Sequence, residues 1–520
     1  MSTPTPAEAV AVVVLAAGAG TRMKSELQKT LHSIGGRSLL SHSLHAAAGV
    51  SPERIVAVVG HGRDQVAPAV EHVASELGRE ISIAVQEEQK GTGHAVQCAM
   101  DQLKDFSGTI LVTNADVPLL RPETLSELAE FHREAPTAVT VLTMRLDDPT
   151  GYGRIVRDES HSVAAIVEQK DADSKTLSIQ EVNSGVFAFD ARILAHSLTQ
   201  LDTDNAQGEL YLTDVLGIAR SEGHTVRAYP VADPHELGGV NDRVQLAEAA
   251  KRLNTRTVEA AMRGGATVID PAATWIDVDV TVGKDVTIYP GTQLRGSTTI
   301  ADNVEVGPDS TLINMVVGEG AHVIRTHAMD SEIKARASVG PFTYIRPGTI
   351  VGEEGKLGGF VEAKNAQIGR GSKVPHLSYI GDATVGEYSN IGASSVFVNY
   401  DGVEKHHTTI GSHVRTGSDT MFIAPVTVGD GAYSGAGTVI REDVPPGALA
   451  VSGGKQRNIE GWVEKRRPGT PAAEAARRHL TTNPRKVKRK PHDFAQLDRK
   501  PEEFDAVHWS RPPCSCRRRR

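Results

Sequence analysis

Residues 282–312 read VGKDVTIYPGTQLRGSTTIADNVEVGPDSTL, and an aliphatic residue stands at every sixth position of this stretch. The series is Val282, Ile288, Leu294, Ile300, Val306 and Leu312. Neither an α-helix nor an ordinary strand repeats at six residues, whereas short strands that each bury one aliphatic residue inside a coil do. The phase slips at insertions and returns at Ile368, Val374 and Ile380, then at Val385, Ile391 and Phe397. The pattern predicts a solenoid of hexapeptide repeats whose stacked coils share one core.

Residues 10–240 follow a different pattern, in which apolar runs such as VAVVVLAA and GTILVTNAD alternate with helical stretches such as PETLSELAEFHRE. This alternation predicts an α/β domain. Residues 243–263, RVQLAEAAKRLNTRTVEAAMR, carry apolar side chains at helical spacing and predict one long helix between the two architectures. We therefore predict an α/β domain over residues 1–243, a helical linker over 244–264, a β-helix over 265–464 and a basic, disordered tail over 465–520.

Composition narrows the class of protein. A chain of 520 residues is too long for a single core, and 50 glycines with only 4% aromatic residues suit a turn-rich, thin-cored fold. The three cysteines, Cys98, Cys514 and Cys516, are too few for a disulfide framework. The sequence has neither a run of about 18 apolar residues nor a basic segment before an apolar N-terminus, so we expect no membrane span and a cytoplasmic location.

Charge is distributed unevenly along the chain. The net charge is −8, but residues 465–520 hold 17 basic and 6 acidic residues, which leaves −19 on residues 1–464. Such a tail is typical of a solvated, disordered extension, and contact with nucleic acid is the less favoured interpretation. We assign the tail no activity.

The α/β domain opens with LAAGAGTRM at residues 15–23. Gly18 and Gly20 suggest a dinucleotide fingerprint, but Met23 stands where G-x-G-x-x-G requires its third glycine. What remains is a strand, a glycine-rich turn whose backbone N–H groups can face an anion, and the cations Arg22 and Lys29. This combination predicts a triphosphate site.

Later motifs follow in an order that resembles one family. They are QEEQKGTGHA, TNADVPLL, GYGRI, IVEQKDA, EVNSGV, NAQGELYLTD and GVNDRVQL. With the opening loop, they resemble sugar nucleotidyltransferases and, more narrowly, the bacterial N-acetylglucosamine-1-phosphate uridyltransferases, over residues 10 to about 465. The resemblance implies a Rossmann-like α/β domain with a mixed sheet and a left-handed hand for the parallel β-helix.

The resemblance also implies a set of residues for uridylyl transfer. Contacts to UTP or its product would come from Leu15, Ala16, Ala17, Gly18, Lys29, Gln86, Gly91, Thr92, Asn114, Ala115, Asp116 and Asn241, with Gln86, Gly91 and Thr92 at the base. Gly153, Glu168 and Asn183 would line the N-acetylglucosamine pocket. Asp116 and Asn241 would hold Mg²⁺, and Arg22 and Lys29 would act as catalytic cations.

The reaction accounts for these residue types. A phosphate oxygen of the sugar 1-phosphate attacks the α-phosphorus of UTP, so the nucleophile is already ionised and no protein base is required. The barrier comes from repulsion between anions. Mg²⁺ on hard oxygen ligands and cations on the departing pyrophosphate lower it.

Three positions depart from the family pattern. Gln28 replaces a usual proline before Lys29, and Ala115 replaces a usual glycine, where its methyl group would approach the nucleotide. We expect weaker UTP binding from these two changes. Gly453 stands where the family often has an arginine that contacts coenzyme A.

Polar motifs also interrupt the hexapeptide repeats, and a β-helix core does not need them. They are GPFTYIRPG, FVEAKNAQIG, KVPHLSYIGD, YSNIGASSVFVNYDG and TGSDTMF. These motifs resemble the acetyltransferase half of the same bifunctional family. The resemblance implies sugar-phosphate contacts from Arg346, Lys364, Tyr379 and Asn390, and acetyl-CoA contacts from Ala393, Asn399, Tyr400, Ser418 and Ala436.

Acetylation of glucosamine 1-phosphate requires a neutral amine to attack a thioester, so one group must accept a proton near pH 7. Histidine suits this task, and His376 in KVPHLSY is the candidate general base. We expect Asn399 and Tyr400 to orient the amine and His376. We expect Ser418 to donate a hydrogen bond to the thioester oxyanion.

The leading hypothesis is a bifunctional enzyme that acetylates glucosamine 1-phosphate and then uridylylates the product, giving UDP-N-acetylglucosamine for peptidoglycan and other envelope polysaccharides. UTP and acetyl-CoA are its co-substrates, Mg²⁺ its metal, and a homotrimer built through the β-helix its implied assembly. One alternative keeps the uridyltransferase alone, with the solenoid as a scaffold. Another is a regulatory protein that binds nucleotide sugars without turnover.

Overall fold

The computed structural model describes residues 9–454, 456 and 458–482. The chain divides into two units, residues 1–452 and 453–520. The first unit holds an α/β domain, a long helix and a solenoid. In the second unit, the described helices are α9 Trp462–Arg466 and α10 Pro471–Thr482. Residues 483–520, most of the tail predicted to be disordered, lie outside the described residues.

The α/β domain is built from 11 strands and seven α-helices among its described residues. The strands are β1 Val10–Leu15, β2 Ser33–Ile34, β3 Arg37–Ser38, β4 Arg54–Val59, β5 Ser82–Val85, β6 Thr109–Asn114, β7 Val139–Arg145, β8 Arg154–Arg157, β9 Val163–Val167, β10 Glu181–Asp190 and β11 Val226–Pro230. The helices are α1 Leu39–Gly49, α2 Arg63–Leu77, α3 Thr92–Met100, α4 Pro122–Arg133, α5 Ser174–Leu177, α6 Ala191–Leu198 and α7 Asp214–Ser221.

The central sheet of this domain is mixed. Its order is β11-β7-β10-β6-β1-β4-β5, and the hairpin β8–β9 joins through β10. β10 is antiparallel to both β6 and β7, while β1 is parallel to β4 and β6. Apolar runs such as VAVVVL are buried because hydrophobic clusters cover both faces of the sheet.

Helix α8, Arg243–Arg263, joins the two architectures. Its N-cap, Asp242, accepts hydrogen bonds from the N–H groups of Val244 and Gln245 at 2.9 Å each. The side chain of Asn254 is tied to the backbone of the first coil, and Val258 belongs to the solenoid core. The helix therefore covers the open end of that core.

The solenoid consists of parallel strands, which are short except for β27 and β28. They are β12 Thr267–Val268, β13 Trp275–Ile276, β14 Thr281–Val282, β15 Thr287–Ile288, β16 Gln293–Arg295, β17 Thr299–Ile300, β18 Glu305–Val306, β19 Thr311–Ile313, β20 Val316–Val317, β21 His322–Val323, β22 Thr326–Met329, β23 Glu332–Ile333, β24 Ser338–Val339, β25 Thr343–Ile345, β26 Ile350–Val351, β27 Lys356–Ile368, β28 Lys373–Val385, β29 Val396–Val398, β30 Thr408–Ile410, β31 Met421–Ile423, β32 Val426–Val428, β33 Tyr433–Ser434, β34 Val439–Ile440 and β35 Leu449–Ala450.

Each of the early strands pairs with the third strand after it. Thus β15 pairs with β18, and Ile288 lies beside Val306. Three strands make one coil, and the early strands each point an aliphatic residue toward a single continuous core. The structure confirms the predicted architecture: an α/β domain with a mixed sheet, joined by a long helix to a parallel β-helix of hexapeptide repeats.

The α/β domain and the solenoid also touch away from α8. The N–H of Val278 donates to the carbonyl of Gly35 at 3.0 Å, and Arg37 forms an ion pair with Asp279. Gly35 has φ 55°, and a Cβ at this position would lie 2.7 Å from a methyl carbon of Leu253. The turn between β2 and β3 therefore packs closely against α8 and the first coil.

Candidate active sites

A cavity of ≈ 240 Å³ opens at the carboxyl ends of β1, β5 and β6. Its lining residues are Leu15, Ala16, Ala17, Gly18, Lys29, Thr30, Gln86, Gln89, Gly91, Thr92, Ala95, Asn114, Asp116 and Glu209. Most residues expected to contact UTP are in this set. The carboxyl edge of an open α/β sheet is where such domains bind ligands, so the cavity is the candidate nucleotide site.

The opening loop brings Lys29 to this cavity. Gly20 has φ 61°, and a Cβ there would lie 2.4 Å from Cβ of Lys29. Any side chain at residue 20 would therefore collide with the segment that carries Lys29. Glycine at this turn permits the approach.

Four of the predicted residues converge beside the cavity. Lys29 Nζ lies 2.5 Å from Asp116 Oδ2 and 3.3 Å from Asn241 Oδ1. Arg22 donates to the same oxygen of Asn241 at 2.9 Å. The two proposed metal ligands thus point toward one position, where the Lys29 ammonium group now lies between them.

This arrangement is a test of the proposed metal site. One carboxylate and one amide oxygen are hard donors, and Mg²⁺ commonly takes one or two such protein ligands together with substrate phosphates. The position between these two oxygens already holds the Lys29 ammonium group. The donor set of Asp116 and Asn241 therefore fits Mg²⁺, although the described residues contain no cluster of three or more acidic, histidine or cysteine side chains for a metal.

Ala115 does not line the cavity. Its side chain is fully buried in the hydrophobic cluster on one face of the sheet, and its N–H donates to the carbonyl of Leu15 at 2.9 Å. The methyl group at residue 115 thus packs into the core between the cavity residues Asn114 and Asp116.

Gln28 holds the backbone in the conformation that a proline would impose. Its φ is −57°, within the range of proline, and its N–H donates to Oε1 of Gln65 at 3.2 Å. The Gln65 side chain also donates to the carbonyl of Glu26 at 3.3 Å. A side-chain clamp thus restrains the loop before Lys29.

Gln86 is oriented by its neighbours. Its Nε2 donates to the carbonyl of Gly91 at 3.0 Å and lies 3.2 Å from Nδ1 of His94. Gly91 has φ 103°, and a Cβ there would lie 2.5 Å from the carbonyl oxygen of Leu210. The predicted base-binding residues Gln86, Gly91 and Thr92 are therefore brought together at one wall of the cavity.

Gly153, Glu168 and Asn183 form a second group. The N–H of Asn183 donates to the carbonyl of Gly153 at 2.9 Å, and a Cβ on Gly153 would lie 3.1 Å from Oε1 of Glu168. Burial raises the pKa of the Glu168 carboxyl, while Thr213 donates to it at 3.4 Å. The three residues are neighbours, but they do not line the nucleotide cavity itself.

Four cavity residues were missed by sequence reasoning: Thr30, Gln89, Ala95 and Glu209. Gln89 lies inside the motif QEEQKGTGHA and donates to the carbonyl of Ala17 at 2.5 Å. Glu209 lies inside NAQGELYLTD. Both motifs carry the family resemblance, but their spacing alone does not reveal which side chains face the cavity.

The candidate acetyl-transfer residues lie on the solenoid, around one of its corners. In β28 the corner is Leu377, with φ 40°, and in β27 it is Phe360, with φ 59°. His376 precedes the corner and Tyr379 follows it. The two side chains therefore belong to different faces of the solenoid.

A polar cluster occupies the face after the corner. Lys364 Nζ lies 3.8 Å from Asp382 Oδ2, and Asn399 donates to the same oxygen at 2.5 Å. A Cβ on Gly381 would lie 2.3 Å from the Tyr379 hydroxyl and 2.7 Å from Asn399 Nδ2. Glycine at residue 381 thus leaves room for these two polar groups to meet.

Three further side chains belong to this neighbourhood. Arg346 donates to Glu362 at 3.0 Å, and Glu362 is the register partner of Tyr379. The hydroxyl of Tyr400 donates to the carbonyl of Gly402 at 2.7 Å, within the loop that follows Asn399.

The residues before the corner form a backbone column on successive coils. The N–H of Ser394 donates to the carbonyl of His376, that of Asp419 to Ala393, and that of Gly437 to Ser418. The predicted residues His376, Ala393, Ser418 and Ala436 therefore follow one edge. The His376 ring makes no hydrogen bond to any described residue, and Asn390, aligned with Lys373 and Arg415, makes none to the polar cluster.

The corner itself is apolar and exposed. Phe342, Phe360 and Leu377 are 53%, 65% and 59% exposed, and the two phenylalanine rings stack with centroids 5.2 Å apart. This exposed apolar corner lies between His376 and the polar cluster.

Comparison with known proteins identifies close relatives. A family model described as a MobA-like NTP transferase domain matches residues 12–178. A bifunctional protein GlmU of Corynebacterium efficiens is 78% identical over 459 residues, covering 88% of this chain and 94% of the relative. GlmU proteins of Corynebacterium diphtheriae and Mycolicibacterium gilvum are 76% and 61% identical over 88% of this chain, covering 95% and 92% of those relatives.

Proposed function

The chain belongs to the family of bifunctional GlmU proteins, and from this membership we infer that it makes UDP-N-acetylglucosamine in two steps. It transfers an acetyl group from acetyl-CoA to glucosamine 1-phosphate, then a uridylyl group from UTP to the product, with release of pyrophosphate. The observation that carries the proposal is that one chain holds two separate constellations, each suited to one step. The family's bifunctional character favours this function over a uridyltransferase with an inert solenoid.

The uridylyl-transfer step is assigned to the cavity of the α/β domain. Gln86, Gly91 and Thr92 bind the base, while Lys29 and Arg22 supply positive charge for the phosphates. When bound by Asp116, Asn241 and substrate, Mg²⁺ supplies charge neutralisation at the phosphates. For Lys29 to reach a phosphate, its ammonium group must leave the oxygens of Asp116 and Asn241.

The sugar is assigned to the group formed by Gly153, Glu168 and Asn183. The absence of a side chain at residue 153 keeps the space beside the Glu168 carboxyl open. A buried carboxyl group whose pKa is raised can exchange hydrogen bonds with a sugar hydroxyl or acetamido group without the cost of an unpaired charge.

The acetyl-transfer step is assigned to the solenoid. The amine nitrogen of glucosamine 1-phosphate attacks the thioester carbonyl carbon of acetyl-CoA, His376 accepts the amine proton, and the thiolate leaves as the carbonyl re-forms. Arg346 and Lys364 bind the sugar phosphate, and Ser418 donates to the oxyanion. The free ring of His376 is compatible with an orienting contact from the substrate or from another copy.

We assign the protein a homotrimeric assembly through the solenoid. His376 and Lys364 flank a convex apolar corner, so one chain cannot enclose a substrate between them. A second copy packed on this corner would cover Phe360 and Leu377 and would oppose the His376 edge of one chain to the Lys364 face of its neighbour.

We propose a cytoplasmic location, where UTP and acetyl-CoA are supplied, and a product that serves envelope polysaccharide synthesis. Among the described residues, no helix combines the length and apolar character needed to cross a bilayer.

One assay tests the two-step proposal. Purified protein is given glucosamine 1-phosphate, acetyl-CoA, UTP and Mg²⁺, and free thiol and pyrophosphate are followed together. Both signals are expected, with pyrophosphate appearing after thiol. If pyrophosphate were released only when N-acetylglucosamine 1-phosphate is supplied, the protein would be a uridyltransferase without acetyltransferase activity.

Two variants separate the sites. His376→Ala should abolish thiol release and leave pyrophosphate release from N-acetylglucosamine 1-phosphate intact. Asp116→Asn should do the reverse. If His376→Ala retained acetyl transfer, the assignment of the base would be wrong.

A further inference from the structure

Asp382 is a buried carboxylate in the polar cluster, and neither the motifs nor the proposed chemistry gives it a role. Its side chain is 13% exposed. Asn365 donates to Oδ1 at 2.8 Å and Asn399 donates to Oδ2 at 2.5 Å. Because Asn365 lies on the preceding coil and Asn399 on the following one, the carboxylate connects three coils.

The hydrogen bond to Asp382 fixes the direction of the Asn399 amide. Its Nδ2 donates to the carboxylate, so its Oδ1 faces the other way, and no described residue donates to that oxygen. Asn399 is 7% exposed, which leaves its amide little freedom to turn. An oriented acceptor in this polar cluster suits an N–H group of the substrate amine or of the pantetheine arm.

Asp382 also balances charge. Lys364 and Lys405 lie so close that Lys405, followed by burial, lowers the pKa of the Lys364 ammonium group. Burial alone would raise the pKa of Asp382, but the two asparagine donors and the two lysines together hold it below its usual range. One carboxylate between two ammonium groups leaves a net single positive charge.

We propose that Asp382 is a positioning residue for acetyl transfer. Its carboxylate turns the oxygen of Asn399 toward the substrate, and it offsets part of the positive charge that Lys364 and its neighbour Lys405 present to a phosphate. This inference rests on the acetyl transfer proposed above.

The backbone offers a conservative substitution. Asp382 has φ 49°, a conformation that asparagine tolerates at least as well as aspartate. Asp382→Asn therefore keeps the shape of the side chain and the turn. It removes the negative charge, and the new amide can present either its oxygen or its NH₂ group to Asn399.

The solenoid also supplies a matched control. Asp330 occupies the same corner three coils earlier, with φ 46°, and accepts a hydrogen bond from Asn314 at 2.9 Å, as Asp382 does from Asn365. Asp330→Asn makes the same change at the same kind of turn, outside the polar cluster. It measures what such a corner contributes to the fold alone.

The experiment compares steady-state acetyl transfer by the wild-type full chain, Asp382→Asn and Asp330→Asn, with uridylyl transfer from the same preparations as an internal measure of folding. Asp382→Asn should lower kcat for acetyl transfer about tenfold or more, because the Asn399 amide loses a charge-assisted hydrogen bond. The KM for glucosamine 1-phosphate should stay level or fall, most clearly at low salt, because the cation pair has lost its counter-charge. Uridylyl transfer should stay within about twofold in both variants, and Asp330→Asn should leave both steps unchanged.

The split between kcat and KM separates positioning from a merely structural role. An unchanged kcat, a fall in kcat with a raised KM, or an equal loss in Asp330→Asn would each overturn the inference. A wild-type protein without acetyl transfer would instead refute the proposed function, and the inference with it.

Discussion

Removal of the Lys29 ammonium group should make the proposed metal ligands, Asp116 and Asn241, bind a divalent cation more tightly when nucleotide is absent. In the free protein this group lies 2.5 Å from Asp116 Oδ2 and 3.3 Å from Asn241 Oδ1, so a metal ion must displace it. The side chains of Lys29 and Asp116 are only 13% and 21% exposed, so screening by water is limited. A charge-assisted hydrogen bond of this kind contributes about 1.5–3 kcal/mol.

Lys29→Met removes this competition and should therefore tighten Mn²⁺ binding about 10- to 150-fold, since each 1.4 kcal/mol is a factor of ten. Mn²⁺ titration followed by electron paramagnetic resonance measures this directly, without turnover. Lys90→Met is the control, because it removes the same charge from an exposed pair with Glu88. Mn²⁺ affinity that stayed within about threefold of the wild type in Lys29→Met would refute the reasoning.

Three further changes test other parts of the structure. Gln28→Pro should alter the free energy of unfolding by less than about 1 kcal/mol and the KM for UTP by less than about threefold, because the lost N–H bond to Gln65 is offset by the proline-compatible φ of −57°. Thermal unfolding measures the stability and UTP titration the KM, and a large rise in KM would contradict this prediction. Phe397→Ala removes a fully buried ring and should lower the free energy of unfolding of the solenoid by about 3–5 kcal/mol, measured by denaturant unfolding. Phe360→Ala removes a ring that is 65% exposed and should lower it far less. Equal losses of stability would show that the core is misassigned. Burial lowers the pKa of His42 to about 4, so as the pH falls the imidazole of His42 is protonated in the unfolded chain before it is protonated in the folded protein. The free energy of unfolding should therefore fall by up to about 3 kcal/mol between pH 6.5 and pH 4. His42→Gln should make this decline less steep, and an unchanged pH dependence in the variant would refute the prediction.

The solenoid was predictable because its core obeys a short period. Ile288, Leu294, Val306 and Leu312 are fully buried, as their spacing of six predicts, and Val282 near the first coil is only partly buried. Each coil repeats the same local structure, so the spacing of residues in the sequence predicts which of them point into the core. The loop after Asn399 has no such period, and the contact of Lys405 with Lys364 depends on how that loop folds back.

The nucleotide cavity was predictable to the extent that motifs lie at strand ends. Leu15 and Asn114 end β1 and β6, so their presence in one cavity follows from a parallel pair of strands. The inward position of Ala115 depends instead on the turn that follows β6. A motif alone does not determine which of two adjacent side chains faces a ligand.

The hydrogen bonds of Asp382 could not be predicted from the sequence. Its donors, Asn365 and Asn399, are each 17 residues away, a separation that becomes contact only when coils stack. In a solenoid, residues about one coil apart are neighbours, but the length of each insertion decides which residues those are.

The corner at Leu377 has a genetic consequence. Because one strand, β28, presents His376 to one side and Tyr379 to the other, the two half-sites of a chain would serve two different active sites in an assembly. Two chains that are each inactive, one altered at His376 and one at Lys364, would then form mixed assemblies in which both lesions fall in the same site and leave another site intact. Such alleles would complement each other, whereas two alleles altered on the same side of the corner would not.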